Sequence, residues 1–343
     1  MEKFGKIVAR FRYVILIGAV LLLIPAAIGY INTRVNYDLL YYLPDGIDTM
    51  DGQNILMDEF GTGAFSMIMF ENMDYKDVSE LKEKIENVDH VEKVLWYDSL
   101  LDTSIPAELL PDKLYKAFNT EDSTLMMVIF NDTSSGDGTL QAINEIRDVC
   151  DHQCFLSGIS AIGADTKALS ERETPIYVVL AVIISILIMG LLMDSYIIPV
   201  FFLLSIGMAI VYNLGSNIFF GEISYVTKAL AAVLQLGVTM DYSIFLWHSY
   251  EEQCEIYDDN NEAMAKAIAS TIVSVVGSSI TTIAGFIALC FMSFTLGLDL
   301  GVVMAKGVIF GVIGCVTILP SMILIFDKAL KKTHHRSLIP TMD

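Results

Sequence analysis

Six long apolar runs set this chain apart from ordinary soluble proteins and indicate a polytopic membrane protein. Each run is long enough to cross about 30 Å of hydrocarbon as a helix that rises about 1.5 Å per residue. Hydrophobic residues make up 54% of the 343 residues, more than a soluble domain of this size needs. We therefore expect a membrane α-helical bundle of six transmembrane helices. The runs cover residues 13–31, 175–193, 196–219, 225–249, 267–291 and 300–326.

The basic residues around these runs predict the orientation of the chain in a cell membrane. They cluster in "MEKFGKIVARFR" before the first run and again in the tail, residues 327–343. Because basic clusters stay on the cytoplasmic side, we expect both termini in the cytoplasm and residues 32–174 outside it. The acidic loop 251–262 also falls inside, but acidic residues contribute little to orientation. The first run lacks a convincing cleavage site, so residues 1–31 are expected to be a retained first helix rather than a signal peptide.

Residues 32–174 show two kinds of secondary-structure pattern. Short apolar or alternating runs predict strands at 64–70, 91–97, 124–130 and 154–160. Amphipathic patterns predict helices at 75–88 and 138–150, with a helical insert at 106–118. The order β-α-β followed by β-α-β is that of a split βαβ sandwich, so we expect an α+β ferredoxin-like domain between helices 1 and 2.

Charge and motif content narrow the class of function. The net charge of −20 lies almost entirely in residues 32–174, which disfavours nucleic acid as a partner. Cys150 and Cys154 in "CDHQC" fit a disulfide, two free thiols or, with His152, an incomplete metal site. The sequence has no His-Glu-x-x-His, Gly-x-Ser-x-Gly or phosphate-binding Gly-Lys-Ser/Thr motif. We expect no catalytic residues, no metal and no cofactor.

The stretch "LQLGVTMDYSIFLWHSYEEQ" places a carboxylate deep inside the fourth run. Asp241 lies about 24 Å from one end of that run and about 12 Å from the other, too deep for its short side chain to reach water. A charge at this depth costs about 2.5–3.5 kcal/mol even on the lenient insertion scale. Asp241 is therefore either a hydrogen-bonded structural carboxylate or a proton carrier. Tyr242 cannot be its partner, because adjacent residues point about 100° apart on a helix.

The same stretch resembles the fourth-helix signature of the MMPL family in the RND superfamily, Gly-x-x-x-Asp-Tyr followed by an apolar turn and Glu-Glu. Gly237, Asp241, Tyr242, Glu251 and Glu252 match this signature. Other stretches resemble the family in the same order along the chain. These are "LLYYLPDG", "MDGQNILMDEFG", "SGISAIGADTKALSERET", "SSITTIAGFIAL" and "DLGVVMAKGVIFGVIGCVTILP".

The resemblance implies a secondary transporter that uses the proton gradient to export lipid or another hydrophobic or amphiphilic molecule. Its expected partners are membrane lipids and a hydrophobic small-molecule substrate, and residues 32–174 become a porter-like domain. The resemblance assigns Asp241 as the proton carrier, Tyr242 as its relay partner and Gly237 as a point of close helix approach.

Four further polar residues are candidates for a supporting role at the relay. Ser278, Ser279 and Thr282 on the fifth run either hydrogen-bond the relay or pack between helices, as small polar residues often do. Lys306 on the sixth run is a candidate counter-ion for Asp241. It lies only about 9 Å below the outer face, however, so we expect it to snorkel outward instead.

A transporter of this kind is expected to need a second half, because its coupling site lies between two repeats. That half is either a C-terminal portion of a longer polypeptide or a second copy of the chain. The tail "HHRSLIPTMD", which resembles the family's linker, favours the first alternative. Helix four should then form the central interface, with Asp241 of one half near Tyr242 of the other. Two other classes remain open: a non-transporting, sterol-sensing-like lipid-binding module and an accessory factor in protein secretion.

Overall fold

The structure, a computed structural model, describes residues 1–38, 40–44, 46–60, 64–99, 112–120, 122–150, 153–193 and 195–332. The chain divides into two compact units. The first, here called the helical unit, comprises Met1–Asn36 and Arg172–Asp343, and the second, the α/β unit, comprises Tyr37–Glu171.

The regular elements are twelve α-helices and six β-strands within the described residues. In chain order they are α1 (Glu2–Arg10), α2 (Arg12–Asn32), β1 (Arg34–Asn36), α3 (Asp48–Phe60), β2 (Ala64–Glu71), α4 (Tyr75–Glu86), β3 (Val91–Leu95), α5 (Asp112–Phe118), β4 (Ser123–Phe130), α6 (Asp137–Val149), β5 (Cys154–Ser157), α7 (Ile159–Leu192), α8 (Ile198–Gly215), β6 (Glu222–Ser224), α9 (Tyr225–Ile256), α10 (Asn260–Leu289), α11 (Leu296–Ile313) and α12 (Leu319–Lys332).

Six helical stretches of the described residues are long and apolar enough to cross a membrane, so the six predicted runs all lie largely in helices that are candidate spans. They are Arg12–Asn32, Ile159–Leu191, Ile198–Phe220, Tyr225–Ile256, Asn260–Leu289 and Leu296–Asp327. The sixth stretch joins α11 to α12 through a π-helical segment, Gly314–Ile318. Such segments insert one extra residue into a helical turn.

The fourth and fifth stretches are longer than their apolar runs. The acidic segment 251–262, expected as a loop, is mostly helical, because α9 continues to Ile256 and α10 begins at Asn260. The Asp259 side chain caps α10 by accepting a hydrogen bond from the backbone N–H of Asn261 at 3.0 Å. A helix can continue through charged residues once it has left the hydrocarbon. Hydropathy alone therefore predicts these helices to be shorter than they are.

Glycines allow the helices of the helical unit to approach until their backbones touch. A Cβ atom on Gly29 of α2 would lie well inside van der Waals contact of the Gly215 carbonyl oxygen on α8. A Cβ on Gly215 would in turn overlap the carbonyl oxygen of Ala26. On α11, Gly307 and Gly311 leave room for polar side chains of the neighbouring helices. Small residues are what membrane helices use for such close packing.

A short parallel strand pair ties two helices of the helical unit together. Strand β1, directly after α2, pairs with β6, directly before α9, through three residue pairs from Arg34 with Glu222 to Asn36 with Ser224. Ser224 is also the N-cap of α9, and its side chain accepts a hydrogen bond from the backbone N–H of Val226 at 3.2 Å. The end of the first span and the start of the fourth are thereby fixed to each other.

The α/β unit contains one antiparallel sheet in the order β3-β4-β2-β5. Alternate residues of β2 and β4 are buried, so one face of the sheet is covered. The two amphipathic helices α4 and α6 contribute to the same core, which therefore holds both β-α-β halves together. Its fully buried side chains include Ile68, Phe70, Val78, Ile85, Val128, Phe130, Ile143 and Ile146.

Two of the predicted elements end earlier than expected, and one is described only in part. The strand predicted at 154–160 stops at Ser157, because Gly158 has φ +115° and α7 begins directly after it. The strand predicted at 91–97 stops at Leu95, where the Trp96 N–H turns to donate to Ser99 Oγ at 3.2 Å. In the helical insert, α5 is present, whereas residues 106–111 lie outside the described residues.

Candidate functional site: a lone carboxylate on the fourth membrane helix

Asp241 lies on the exposed face of α9, pointing away from its own helix bundle. Its carboxylate makes no hydrogen bond or ion pair with any described residue. Gly237, one turn earlier on the same face, has open space where a Cβ would stand. Phe245, one turn later, is 62% exposed. The helical unit therefore presents an unpaired acid, next to a glycine, on its outer surface in the middle of a candidate membrane span.

Tyr242 points about 100° away from Asp241 around α9, into the bundle. Only 4% of its surface is exposed, and it belongs to the same apolar core as Leu246 and Trp247. The expectation that Tyr242 meets Asp241 of a second half stays a prediction. Because Tyr242 is packed inside its own bundle, that contact would require the partner's carboxylate to reach between the helices of this half.

Two of the candidate hydroxyl groups on the fifth span, those of Ser279 and Thr282, bond to their own helix. Ser279 Oγ donates to the carbonyl oxygen of Val275 at 2.5 Å, and Thr282 Oγ1 donates to that of Ser278 at 3.1 Å. Back-bonding of this kind satisfies a hydroxyl inside a membrane without a second helix. The structure therefore does not bring Ser278, Ser279 or Thr282 to Asp241.

A strip of small and polar residues nevertheless runs along the exposed side of α10. Its members recur every three or four residues, which places them on one face of the helix. At one end of the strip, Ser270 Oγ lies 2.8 Å from Ser249 Oγ on α9. The strip and the Asp241 face are thus neighbouring surfaces of one bundle. The strip consists of Ser270, Ser274, Gly277, Ser278, Thr281 and Gly285.

Lys306 is directed to α8 and its extension rather than to Asp241. Its ammonium donates a hydrogen bond to Asn217 Oδ1 and lies 5.0 Å from the centre of the Phe220 ring. Both residues belong to the 3-10 turn Ser216–Phe220, which extends α8 at its end. An aromatic face and an amide oxygen both stabilise a cation, so this lysine needs no carboxylate from α9.

The sequence reasoning missed a buried polar cluster between α8, α9 and α11. Asn213 Nδ2 donates to Gln235 Oε1 at 3.0 Å, and Gln235 Nε2 donates to the carbonyl oxygen of Gly307 at 3.0 Å. Thr239 Oγ1 donates to the carbonyl oxygen of Gln235 at 2.7 Å. The sequence does contain a signal for this cluster, namely an asparagine and a glutamine inside apolar runs. Amide side chains in a membrane need hydrogen-bond partners, so these two residues predict a contact between helices.

An apolar cavity of about 520 Å³ lies among α2, α8 and the sixth span. Its wall is hydrocarbon apart from a few hydroxyl groups. One of these, on Tyr212, is already bound to the carbonyl oxygen of Ala19 at 2.6 Å. The volume is that of a pocket for a small hydrophobic ligand. Further lining residues include Leu22, Pro25, Phe219, Phe310 and Ile313.

The α/β unit contains two cysteines that are close in sequence. Cys150 and Cys154 form no disulfide, and burial raises the pKa of the Cys150 thiol to about 12. His152, the third member of the candidate metal site, lies outside the described residues. Elsewhere in the described chain, no group of three His, Cys, Asp or Glu side chains is arranged to hold a metal ion.

Within the described residues, six helical stretches able to span a membrane, with an α/β unit after the first of them, define a polytopic membrane protein. More specifically, the chain belongs to the MMPL family, whose profile matches residues 69–339. The resemblance inferred from the motifs is thereby confirmed.

Two known proteins are similar in sequence to parts of the chain. It is 32% identical over 125 residues to the membrane protein ActII-3 of Streptomyces coelicolor, a match that covers 36% of this chain and 17% of ActII-3. It is 24% identical over 233 residues to the membrane protein MJ1562 of Methanocaldococcus jannaschii, covering 64% of this chain and 59% of that protein. The chain thus spans less than two thirds of each of these relatives.

The fold is shared with a solved structure. SecDF of Thermus thermophilus, a translocon-associated membrane protein, aligns over 93% of this chain and 38% of SecDF with a TM-score of 0.52. The sequence identity is 14%, so this similarity shows the fold alone.

Proposed function

We propose that this chain is one half of a proton-driven transporter that exports lipid or another hydrophobic molecule across the cell membrane. In this proposal both termini are cytoplasmic, and residues 32–174 form an extracytoplasmic, ferredoxin-like porter domain. The tail, residues 327–343, is a cytoplasmic tail or linker. The observation that carries the proposal is the unpaired Asp241 carboxylate on the outer face of the helical unit.

The depth of Asp241 means that its face has to be covered. If the face met lipid, the charged carboxylate would cost about 2.5–3.5 kcal/mol or more, and intramembrane acids accordingly face other helices or a water-filled cavity. Gly237 and the small-residue strip of α10 suit close packing of further helices. A second half-transporter, as a C-terminal portion or a second copy, is the partner that fits, with its coupling site at the interface.

A carboxylate at such an interface is suited to carrying protons. Removal from water favours the neutral form of an acid, so protonation and release can follow the proton gradient. Tyr242 keeps its proposed relay role, but it acts from inside its own half.

The apolar cavity supports a hydrophobic substrate or a bound membrane lipid. The hydrocarbon walls of the cavity offer no hydrogen-bond or ionic partner for a charged or strongly hydrated molecule. The helices that form these walls also expose apolar surface to the membrane lipid. An acyl chain is the membrane component with matching chemistry.

A role as an accessory factor in protein secretion is the second candidate. It is favoured by the fold shared with SecDF over 93% of this chain. Parallel assays of lipid export and protein secretion in cells that lack the protein would separate the two. Loss of secretion with export unchanged would favour the accessory role.

The interface is tested by disulfide cross-linking on the exposed face of α9. In a variant without native cysteines, Phe245→Cys combined with a second cysteine on the facing helix of the second half should form a disulfide in membranes. Thr239→Cys is the matched control, because its side chain is 1% exposed and lies inside the bundle. Cross-linking at position 239 but not at 245, seen on denaturing gels, would contradict the proposed interface.

The orientation is tested by labelling native cysteines with a membrane-impermeant thiol reagent. Cys154 should be labelled in intact cells, and Cys254, near the end of α9, only after the cells are opened. Labelling of Cys254 from outside would overturn the proposed topology.

The raised pKa of Cys150 predicts slow labelling that depends on pH. A thiol reacts as the thiolate, and the Cys150 pKa of about 12 leaves it protonated at neutral pH. Its rate should rise about tenfold per pH unit between pH 7 and 9, measured by mass spectrometry of the tryptic peptide. A rate at pH 7 equal to that of free cysteine would contradict the burial of this thiol.

A further inference from the structure

Two buried amide atoms in the helical unit lack hydrogen-bond partners among the described residues, and their residues are four positions apart in the chain. Asn213, near the end of α8, and Asn217, in the 3-10 turn that follows, are both 0% exposed. Within the described residues, Asn213 Oδ1 and Asn217 Nδ2 have no hydrogen-bond partner. A buried polar atom without a partner is costly, and most of all inside a membrane.

The neighbouring bonds fix which atom of each amide is the acceptor and which is the donor. Gln235 donates its Nε2 to the Gly307 carbonyl, so its Oε1 must accept, and Asn213 must present Nδ2 to it. Lys306 can only donate, so Asn217 must present Oδ1 to the ammonium. Neither asparagine can be flipped without losing a bond. The remaining atoms are therefore one acceptor and one donor.

We propose that a single buried water molecule binds between these two amides, donating to Asn213 Oδ1 and accepting from Asn217 Nδ2. Asn213 Nδ2 lies against Gly307, and Asn217 Oδ1 binds Lys306, the preceding residue of α11, so both amides meet the same turn of that helix. A metal cation does not fit, because the Asn217 N–H group and the Lys306 ammonium face it. An anion does not fit the Asn213 oxygen.

The water joins two separate hydrogen-bonded groups into one chain. On one side are Lys306 and Asn217, and on the other are Asn213 and Gln235. From Gln235 the buried face of α9 continues to Thr239 and Tyr242, at i+4 and i+7. The joined groups form a polar path from Lys306 to Thr239, which donates to the carbonyl oxygen of Gln235. That this path leads to the relay tyrosine rests on the proposed function, whereas the water site itself does not.

A double-mutant cycle on thermal stability tests the site. Asn213→Ala, Asn217→Ala and the double variant are compared with the unchanged chain in detergent. Each single change should lower Tm, and the double change should lower it by clearly less than the sum, because either change alone releases the water. Asn213→Ala also loses the bond to Gln235, and Asn217→Ala also loses the bond to Lys306. Each of these losses occurs in one single variant and again in the double variant, so it cancels when the coupling energy is calculated. Additive losses would overturn the proposal.

Two controls exclude other sources of coupling. Thr227, which is buried and donates to Asp299 elsewhere in the bundle, provides the matched pair: Asn213→Ala and Thr227→Ala should be additive. Replacing sodium with choline in the buffer should leave the Tm of the unchanged chain as it is. If sodium removal lowered the Tm of the unchanged chain but not that of Asn213→Ala, the site would bind a cation and the water proposal would be overturned.

A high-resolution map of the protein in lipid nanodiscs provides the direct observation. Density within hydrogen-bond distance of both amide atoms supports the proposal, and a direct bond between Asn213 and Asn217 overturns it. These measurements do not involve transport. If export proved independent of Asp241, the proposed function would fail while the result of the cycle would stand.

Discussion

Replacing Asp241 with asparagine is expected to abolish proton-coupled export while leaving the protein folded and inserted. The amide has nearly the same volume, and Asp241 makes no bond to any described residue of its own chain that the change would break. The asparagine amide cannot ionise, so it cannot carry a charge across the membrane, a transfer worth about 2.3 kcal/mol per 100 mV. Export of the hydrophobic substrate from cells, at matched expression in the membrane, is the measurement.

Glu252→Gln is the matched control for this experiment. Glu252 lies on the same helix and is also exposed, but it stands in the polar last turns of α9. It should retain export, because an acid in water has no special ability to couple to the gradient. Equal export by the Asp241→Asn variant and the unchanged protein would remove the proton-carrier role.

Adding one methyl group at position 215 is expected to be strongly destabilising. In Gly215→Ala the new Cβ would overlap the Ala26 backbone carbonyl, which has no rotamer to move away. The helices α2 and α8 must separate, which also loosens the reciprocal contact at Gly29. Overpacking of a well-packed site costs about 1–3 kcal/mol, and backbone overlap belongs at the upper end. The midpoint of thermal unfolding in detergent should fall by several degrees.

Gly207→Ala tests the same change on the same helix without the clash. A Cβ at Gly207 meets no atom within 4 Å. Alanine is the better helix former by about 1 kcal/mol, so this variant should be as stable as the unchanged chain or more so. If both variants lost stability equally, backbone contact between α2 and α8 would not be the reason.

The parts of the fold that follow from local patterns were predictable. A run of about twenty apolar residues has few alternatives to a membrane helix, and alternation of buried residues marked β2 and β4. Helix ends were less predictable, because caps such as Asp259 and turns such as Gly158 depend on a few atoms. The π-helical segment in the sixth span has no sequence signature of its own.

The site was predictable only as far as one helix determines it. The helical period separates Asp241 from Tyr242, and the structure adds which of them faces the bundle. The bond between Asn213 and Gln235 joins helices α8 and α9, and the next bond leads to a backbone carbonyl of α11. Such a cluster depends on which helices are neighbours, and no single run of sequence contains that information.

The strand pair of β1 and β6 gives the helical unit a mechanical connection. An axial displacement of α9 would carry β6 and β1 with it or break their pairing, because three residue pairs link the two strands. Strand β1 ends at Asn36, and the chain enters the α/β unit at Tyr37. Within the helical unit the strand pair therefore acts as a brace, because it holds the end of the first span beside the start of the carboxylate-bearing helix.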